Sequence, residues 1–260
     1  MLYPRIIPCL LVRNGGLVKT MRFGASKYVG DPINAVKIFN EMEVDELIVL
    51  DIDASKESRV PDYRLIEHLA AECRMPFCYG GGIKTVGQAL DIFSLGVEKI
   101  AMSSAAIENP RLVTAIADRV GSQSVVVVLD VKKDIVGGGY ELFSFNGTKP
   151  TGVEPVAFAS AMQRAGAGEV VVNSIDRDGV MSGYDLDLID RVRAGITIPM
   201  TVLGGAGTIN DIGEMMRRHG IIGIAAGSLF VYKGRFRAVL INYPTMSEKL
   251  KLISMYFNVE

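Results

Sequence analysis

The chain carries only two histidines and three cysteines in 260 residues, and each scarcity excludes a chemistry. Cys9, Cys73 and Cys78 are too few and too scattered for a zinc cluster or a disulfide framework, so they read as buried thiols. His68 falls in a helical pattern, Arg64–Glu72, and His219 precedes Gly220 at a helix end. Neither has a local partner for a Ser/His/Asp triad or a His-rich metal site, so acid–base work falls to carboxylates. Charge of either sign is also lacking in excess. Lys and Arg number 28 against 29 Asp and Glu, and no basic stripe marks a nucleic-acid footprint. Long apolar runs are missing too. The longest, such as Val125–Leu129, are strand-sized and cannot span a bilayer, and Arg5 interrupts the N-terminus with no signal-peptide core after it. A cytoplasmic protein without membrane or nucleic-acid partners is expected.

What is present is alternation. Short β-branched runs predict strands over Arg5–Leu10, Glu46–Asp51, Phe77–Gly80, Lys99–Met102, Val125–Asp130, Glu169–Asn173, Met200–Leu203 and Gly223–Ala226. Amphipathic stretches between them predict helices over Pro32–Glu43, Arg64–Cys73, Val86–Leu95, Pro110–Val120, Pro155–Ala165, Leu186–Ala194 and Ile209–Arg218. Eight strands alternating with helices, in a chain of this length, predict an α/β fold: one (β/α)8 barrel. Strands that are apolar almost throughout suit a sheet covered on both faces. No linker or composition break divides residues 1–260, so a single domain is expected.

The chain also repeats itself. Glu46-Leu-Ile-Val-Leu-Asp-Ile-Asp53 matches Glu169-Val-Val-Val-Asn-Ser-Ile-Asp176 at an offset of 169 − 46 = 123 residues. Gly81-Gly82 matches Gly204-Gly205 at the same offset, and Ser104 matches Ser228 one residue further on. Cys9-Leu-Leu-Val12 matches Val128-Leu-Asp-Val131, which makes Leu11 the mate of Asp130. Two half-barrels of four strands therefore build one barrel, and doubling the half doubles its sites.

The repeated Gly-rich turns and Ser-bearing strand ends lie after strands, on the C-terminal face where barrel enzymes bind substrate. Glycine lets backbone N–H groups approach an anion closely, and the start of a following helix favours negative charge. One phosphate is expected near Gly81, Gly82, Ser103 and Ser104. A second is expected near Asp178, Gly179, Gly204, Gly205, Gly227 and Ser228. The two sites face each other across the mouth, so the ligand is a long small molecule with a phosphate at each end.

At these residues the chain resembles the cyclase subunit of imidazole glycerol phosphate synthase, of histidine biosynthesis. The resemblance covers almost the whole chain and includes Arg5-Ile-Ile-Pro-Cys-Leu10, Gly80-Gly-Gly-Ile83, Ser174-Ile-Asp-Arg-Asp-Gly179, Ser182-Gly-Tyr-Asp185 and Gly204-Gly-Ala-Gly207. It implies a diphosphorylated ribulosyl aminoimidazole substrate, no metal or organic cofactor, and a glutaminase subunit docked on the N-terminal face of the barrel. It also implies that ammonia rises through the barrel core, past a charged gate formed by Arg5, Glu46, Lys99 and Glu169, to the mouth. Lys19 follows strand one in the loop that covers substrate, and Asp51 and Asp176 lie among the substrate-side carboxylates.

The chain departs from the family at that mouth. The family uses two aspartates as general acid and base, at the ends of strands one and five. Asp130 keeps the second; Leu11 stands where the first belongs, and leucine cannot move a proton. The first loop, Thr20–Val29, is divergent, and Asn173 and Leu203 replace the more usual Thr and Ser. An intact gate beneath an incomplete catalytic pair suggests a paralogue that still receives ammonia but uses it elsewhere. The expected use is amidine formation on a surface-polysaccharide (lipopolysaccharide) sugar or sugar nucleotide, with room for a third protein. The alternatives are a working histidine-pathway cyclase in which Asp51 or Asp176 covers for Leu11, and a non-catalytic conduit. A sugar isomerase of the same pathway fits least, because it too needs both carboxylates.

Overall fold

Eight strands alternate with helices along the chain: β1 (Arg5–Arg13), β2 (Leu47–Asp51), β3 (Phe77–Gly80), β4 (Lys99–Met102), β5 (Val125–Lys133), β6 (Glu169–Ser174), β7 (Met200–Leu203) and β8 (Gly223–Ala226). A computed structural model describes residues 3–134 and 137–256. All eight strands pair in parallel with their neighbours, β8 with β1 and β5 with β6, so the sheet closes on itself as a (β/α)8 barrel. The N–H and C=O groups of each strand are thereby paired on both sides and no barrel edge is left open.

The sequence explains where the helices start. α1 (Pro32–Glu41) and α5 (Pro155–Arg164) both begin with proline, capped by the Asp31 and Glu154 carboxylates. α2 (Tyr63–Glu72) and α6 (Leu186–Gly195) are capped by Asp62 and Asp185, which accept from the N–H of Leu65 and Leu188. α3 (Val86–Ser94) and α7 (Ile209–His219) open on capping boxes, Thr85 with Gln88 and Thr208 with Asp211. Each cap and its mate are separated by the repeat offset found in the strands. The duplication therefore reaches the residues that stop and start each helix. α4 (Pro110–Val120) completes the first half and α8 (Met246–Tyr256) the second. The sequence reading missed α8, whose periodicity is weak; it is held by Lys249, which pairs with Asp45, and by Tyr256 against Gly213.

Two apolar layers result. The outer one lies between strands and helices and includes Leu10, Phe39, Leu47, Ile66, Phe77 and Phe230. The inner one fills the barrel with Ile7, Cys9, Leu11, Ile48, Cys78, Val126, Val128 and Val171. Cys9 and Cys78, far apart in sequence, thus share the barrel interior. Burial pushes the Cys9 thiol up to about 12 and the Cys78 thiol well above its ordinary value. Neither should react with iodoacetamide at pH 8 in the native protein, and intact-mass measurement would reveal an adduct if either did.

β1 and β5, the first strands of the two halves, run beyond the barrel rim and fold back as antiparallel excursions. Gly16–Lys19 pairs with the end of β1, and Tyr140–Ser144 with the end of β5. Short helices, Ser104–Glu108 and Ser228–Val231, follow β4 and β8. No helix among the described residues is long and apolar enough to cross a membrane.

Candidate active site

The C-terminal ends of the strands surround a cleft of about 1070 Å³, including its open mouth. Gly81 and Gly82 after β3 and Ser103 and Ser104 after β4 line one side; Gly204 and Gly205 after β7 and Gly227 and Ser228 after β8 line the other. Asp178, Gly179, Lys19, Asp51, Leu11 and Asp130 also line it. At Gly204 the backbone has φ +89°, and a Cβ there would lie 2.7 Å from the Ser174 carbonyl oxygen, so only glycine holds this turn against β6.

Asp130 is placed by its neighbours. Ser103 Oγ donates to Oδ2 at 3.0 Å, and Asn173 Nδ2 donates to Oδ1 at 2.9 Å. Desolvation raises its pKa to about 6, against the lowering effect of those two hydrogen bonds. Asn173, one of the departures from the usual family sequence, thus contacts the candidate catalytic carboxylate directly. The opposite side of the floor is apolar: Leu11 pairs in register with Leu50 on β2, and Leu203 belongs to the same buried cluster.

Four of the expected site residues are held in ways the sequence does not show. Asp176 does not line the cleft; its carboxylate accepts from the Lys133 N–H at 2.8 Å, because the turn after β6 carries it toward the β5 excursion. Asp51 lines the cleft but is saturated. It accepts from the N–H of Asp53 and Ala54 and from both terminal nitrogens of Arg59, so it is a poor understudy for Leu11. The Asp178 carboxylate accepts from Thr20 Oγ1 at 2.7 Å and so ties down the first loop, leaving the Gly179 backbone on the cleft wall. Lys19 is not on a loop. It ends the Gly16–Lys19 strand, is 6% exposed, and donates from Nζ to the Cys9 carbonyl at 2.9 Å.

A Cβ on Gly227 would lie 2.1 Å from Lys19 Nζ. Because Nζ ends a flexible side chain, Gly227→Ala should leave the fold intact and expel the amine. Acetic anhydride should then acetylate Lys19 faster in the variant than in the native protein, and an unchanged rate would contradict this packing.

At the foot of the barrel the four charged strand-openers form a closed square. Arg5 bonds Glu46, and its Nη2 reaches Glu169 Oε1 at 2.7 Å; Lys99 Nζ lies 2.9 Å from both Glu46 Oε1 and Glu169 Oε2. Thr201 Oγ1 adds a hydrogen bond to Glu169 at 2.5 Å. The glutamates are almost wholly buried, with side chains 4% and 6% exposed, while Arg5 and Lys99 keep 30% and 19%. No group of three or more His, Cys, Asp or Glu among the described residues is arranged to hold a metal, and His68 and His219 lie away from the cleft.

Residues 5–237 match the profile of the histidine biosynthesis protein family. Relatives carry the match almost end to end. A protein provisionally named imidazole glycerol phosphate synthase subunit hisF3 in Vibrio vulnificus is 56% identical over 255 residues, covering 98% of each chain. A Leptospira interrogans protein provisionally named as the HisF subunit is 58% identical over 249 residues, 96% of this chain and 98% of that one. The imidazole glycerol phosphate synthase subunit HisF of Natranaerobius thermophilus is 39% identical over 249 residues, again 96% and 98%. The chain belongs to the HisF family.

Sequence reasoning about this HisF-family chain missed four contributors to its cleft and foot. Arg59 neutralises Asp51 from the turn after β2, a region where an arginine reads as an ordinary surface residue. Thr201 completes the bonding of Glu169 from the wall of β7, and a lone threonine in a strand carries no signal of its own. Phe23 and Asn146 line the cleft from the excursions of the two half-barrels, and Phe23 packs against Gly147. Only the duplication, which predicts an excursion in both halves or neither, could have pointed to this pairing.

Proposed function

We propose that this chain is the synthase half of a glutamine-dependent amidotransferase. A glutaminase partner docks at the barrel foot, ammonia passes upward, and at the mouth it joins a phosphorylated small molecule bound between the two Gly-rich turns. The observation that carries this reading is the closed Arg5–Glu46–Lys99–Glu169 square beneath an apolar barrel interior. Ammonia is small and neutral and can cross such an interior, whereas ammonium would lose its hydration there at heavy cost. The apolar floor around Leu11, across from the Asp130 carboxylate, supports a chemistry other than histidine-pathway ring closure. We assign amidine formation on a surface-polysaccharide sugar, in which an acetamido group becomes an acetamidino group after activation by a third protein.

The second reading, a histidine-pathway cyclase, is favoured by the 39% identity to the HisF subunit of Natranaerobius thermophilus and by the ready-made bonding of Asp130. Turnover of the histidine-pathway ribulosyl nucleotide with free ammonium at alkaline pH separates the two. The amidotransferase paralogue should be inactive on it while Leu11→Asp gains activity. Robust turnover by the native protein would establish the cyclase reading instead. A glutaminase that is neither bound nor stimulated by this chain would sink both.

A further inference from the structure

Two segments rise from the barrel rim beside the cleft and meet. One is the excursion after β1, in which Gly16–Lys19 pairs with Lys27–Gly30. The other follows β8: past the short helix Ser228–Val231, Tyr232 and Lys233 pair antiparallel with Val239 and Ala238 in a small hairpin. Both rest on the loop after β6. Arg237 donates to the Gly179 and Val180 carbonyls at 3.2 and 3.4 Å, and the Arg22 N–H donates to the Asp178 carbonyl at 2.9 Å. Lys27 Nζ lies 5.9 Å from the centre of the Tyr232 ring. The two hairpins therefore form one surface.

That surface is basic. Residues 20–30 contain Arg22 and Lys27 and no acid, and residues 232–240 contain Lys233, Arg235 and Arg237 and no acid. None of the five makes an ion pair with a described residue. The bordering acids are Asp31, which caps α1, Asp178, held by Thr20, and Asp176, held by the Lys133 N–H. Counting all three, and Arg177 from the same loop, leaves 6 − 3 = 3 positive charges in excess. The surface also shows apolar groups to solvent. Phe236 is 84% exposed, Tyr28 67% and Met21 50%, and none of the three lines the cleft. The Arg235 guanidinium lies 4.7 Å from the centre of the Phe236 ring.

We propose that this surface docks on an anionic lipid membrane, with Phe236 entering the headgroup boundary and the cations facing lipid phosphates. Cations near such a membrane gain from the field of the whole leaflet and need no individually placed partner. Phe236 and Met21 sit in the connections of their hairpins, so they project outward and do not line a groove that a segment of another protein would fill. Long basic side chains and aromatic rings suit the boundary between headgroups and acyl chains. In this orientation the cleft opens beside the membrane and the barrel foot points away from it, clear for a glutaminase. The inference does not depend on the chemistry assigned to the cleft. The sequence expectation of no membrane partner came from missing spans and near-equal charge totals, and neither registers a local patch.

Co-sedimentation of the whole protein with vesicles tests the proposal. Native protein should pellet with phosphatidylcholine vesicles containing about 30 mol% phosphatidylglycerol and stay in solution with phosphatidylcholine alone. Raising salt from about 0.1 to about 0.5 M should release it. Lys233→Gln with Arg235→Gln should weaken partitioning roughly 25-fold, about fivefold for each basic residue. Phe236→Ser should weaken it roughly 10-fold and leave the salt dependence in place. Arg164→Gln with Arg217→Gln removes two exposed cations from the outer helices α5 and α7 and should change nothing. All these positions are exposed, so urea unfolding should match the native protein. No pelleting of the native protein with the anionic vesicles overturns the proposal and leaves the surface to an acidic protein partner. An equal loss in the Arg164 and Arg217 variant overturns it too, because the attraction then belongs to total charge and not to this face.

Discussion

Asp130→Asn should remove turnover by roughly 10²–10⁴-fold whichever carbonyl substrate proves correct, because it deletes the carboxylate held by Ser103 and Asn173 at the mouth and keeps its size. The Ser103 and Asn173 contacts give the native carboxylate a fixed orientation. The pH dependence follows from the environment of Asp130. Burial raises its pKa to about 6, so the ionised, base-competent form is lost as pH falls through that value. The acidic limb of the rate profile should sit near pH 6 in the native protein. For stability the sign is the reverse of a salt-bridged acid. The folded state holds the proton more tightly than the unfolded chain, so Asp130 weakens the fold above its folded pKa, and this effect is relieved as pH drops toward 4. Asp130→Asn should therefore be at least as stable as the native protein at pH 7.5. Retained activity in that variant would show that another group carries the chemistry.

Glu169→Ala should destabilise the fold by about 3 kcal/mol, measured by urea unfolding. That is the low end for breaking a buried ion pair, because Arg5 and Lys99 keep some solvent. The loss also strands Thr201 Oγ1. Burial alone would raise the Glu169 pKa, but Arg5 and Lys99 outweigh it and hold the group below the usual carboxylate range. Its contribution to stability is complete above the unfolded pKa near 4.5 and is lost as pH falls through the lower folded value. The alanine variant should thus differ from native most at neutral pH and least under acid. Replacing all four ring residues by apolar ones of similar size is a sharper comparison. Stability should return toward native, since well-packed apolar groups often match a buried ion pair. Coupling to the glutaminase should not return if the partner docks on the charges of the ring.

Much of this molecule is legible in its sequence because the barrel is built from local rules used twice. Apolar runs fix the eight strands, Pro32 and Pro155 mark helix starts, and the duplication locates the paired glycine turns. The rest depends on where turns send side chains, which no local pattern encodes. Asp176 shares its motif with Asp53 yet bonds the Lys133 backbone. Lys19 reads as a loop residue because its strand is only four residues long, and pairing with the end of β1 is what buries it. Asp51 reads as a free carboxylate until Arg59 folds over it. α8 escapes notice because its docking relies on Lys249 and Asp45, a charged pair distant in sequence.

The square at the barrel foot contains two cations and two anions, each cation touching both anions. Its formal charge is zero, and its alternating signs cancel along the barrel axis. Such an arrangement neither draws ions in nor drives them away over distance. Any preference for a neutral passenger must then come from the dry interior above it, and added salt, which acts on long-range fields, should leave that preference unchanged.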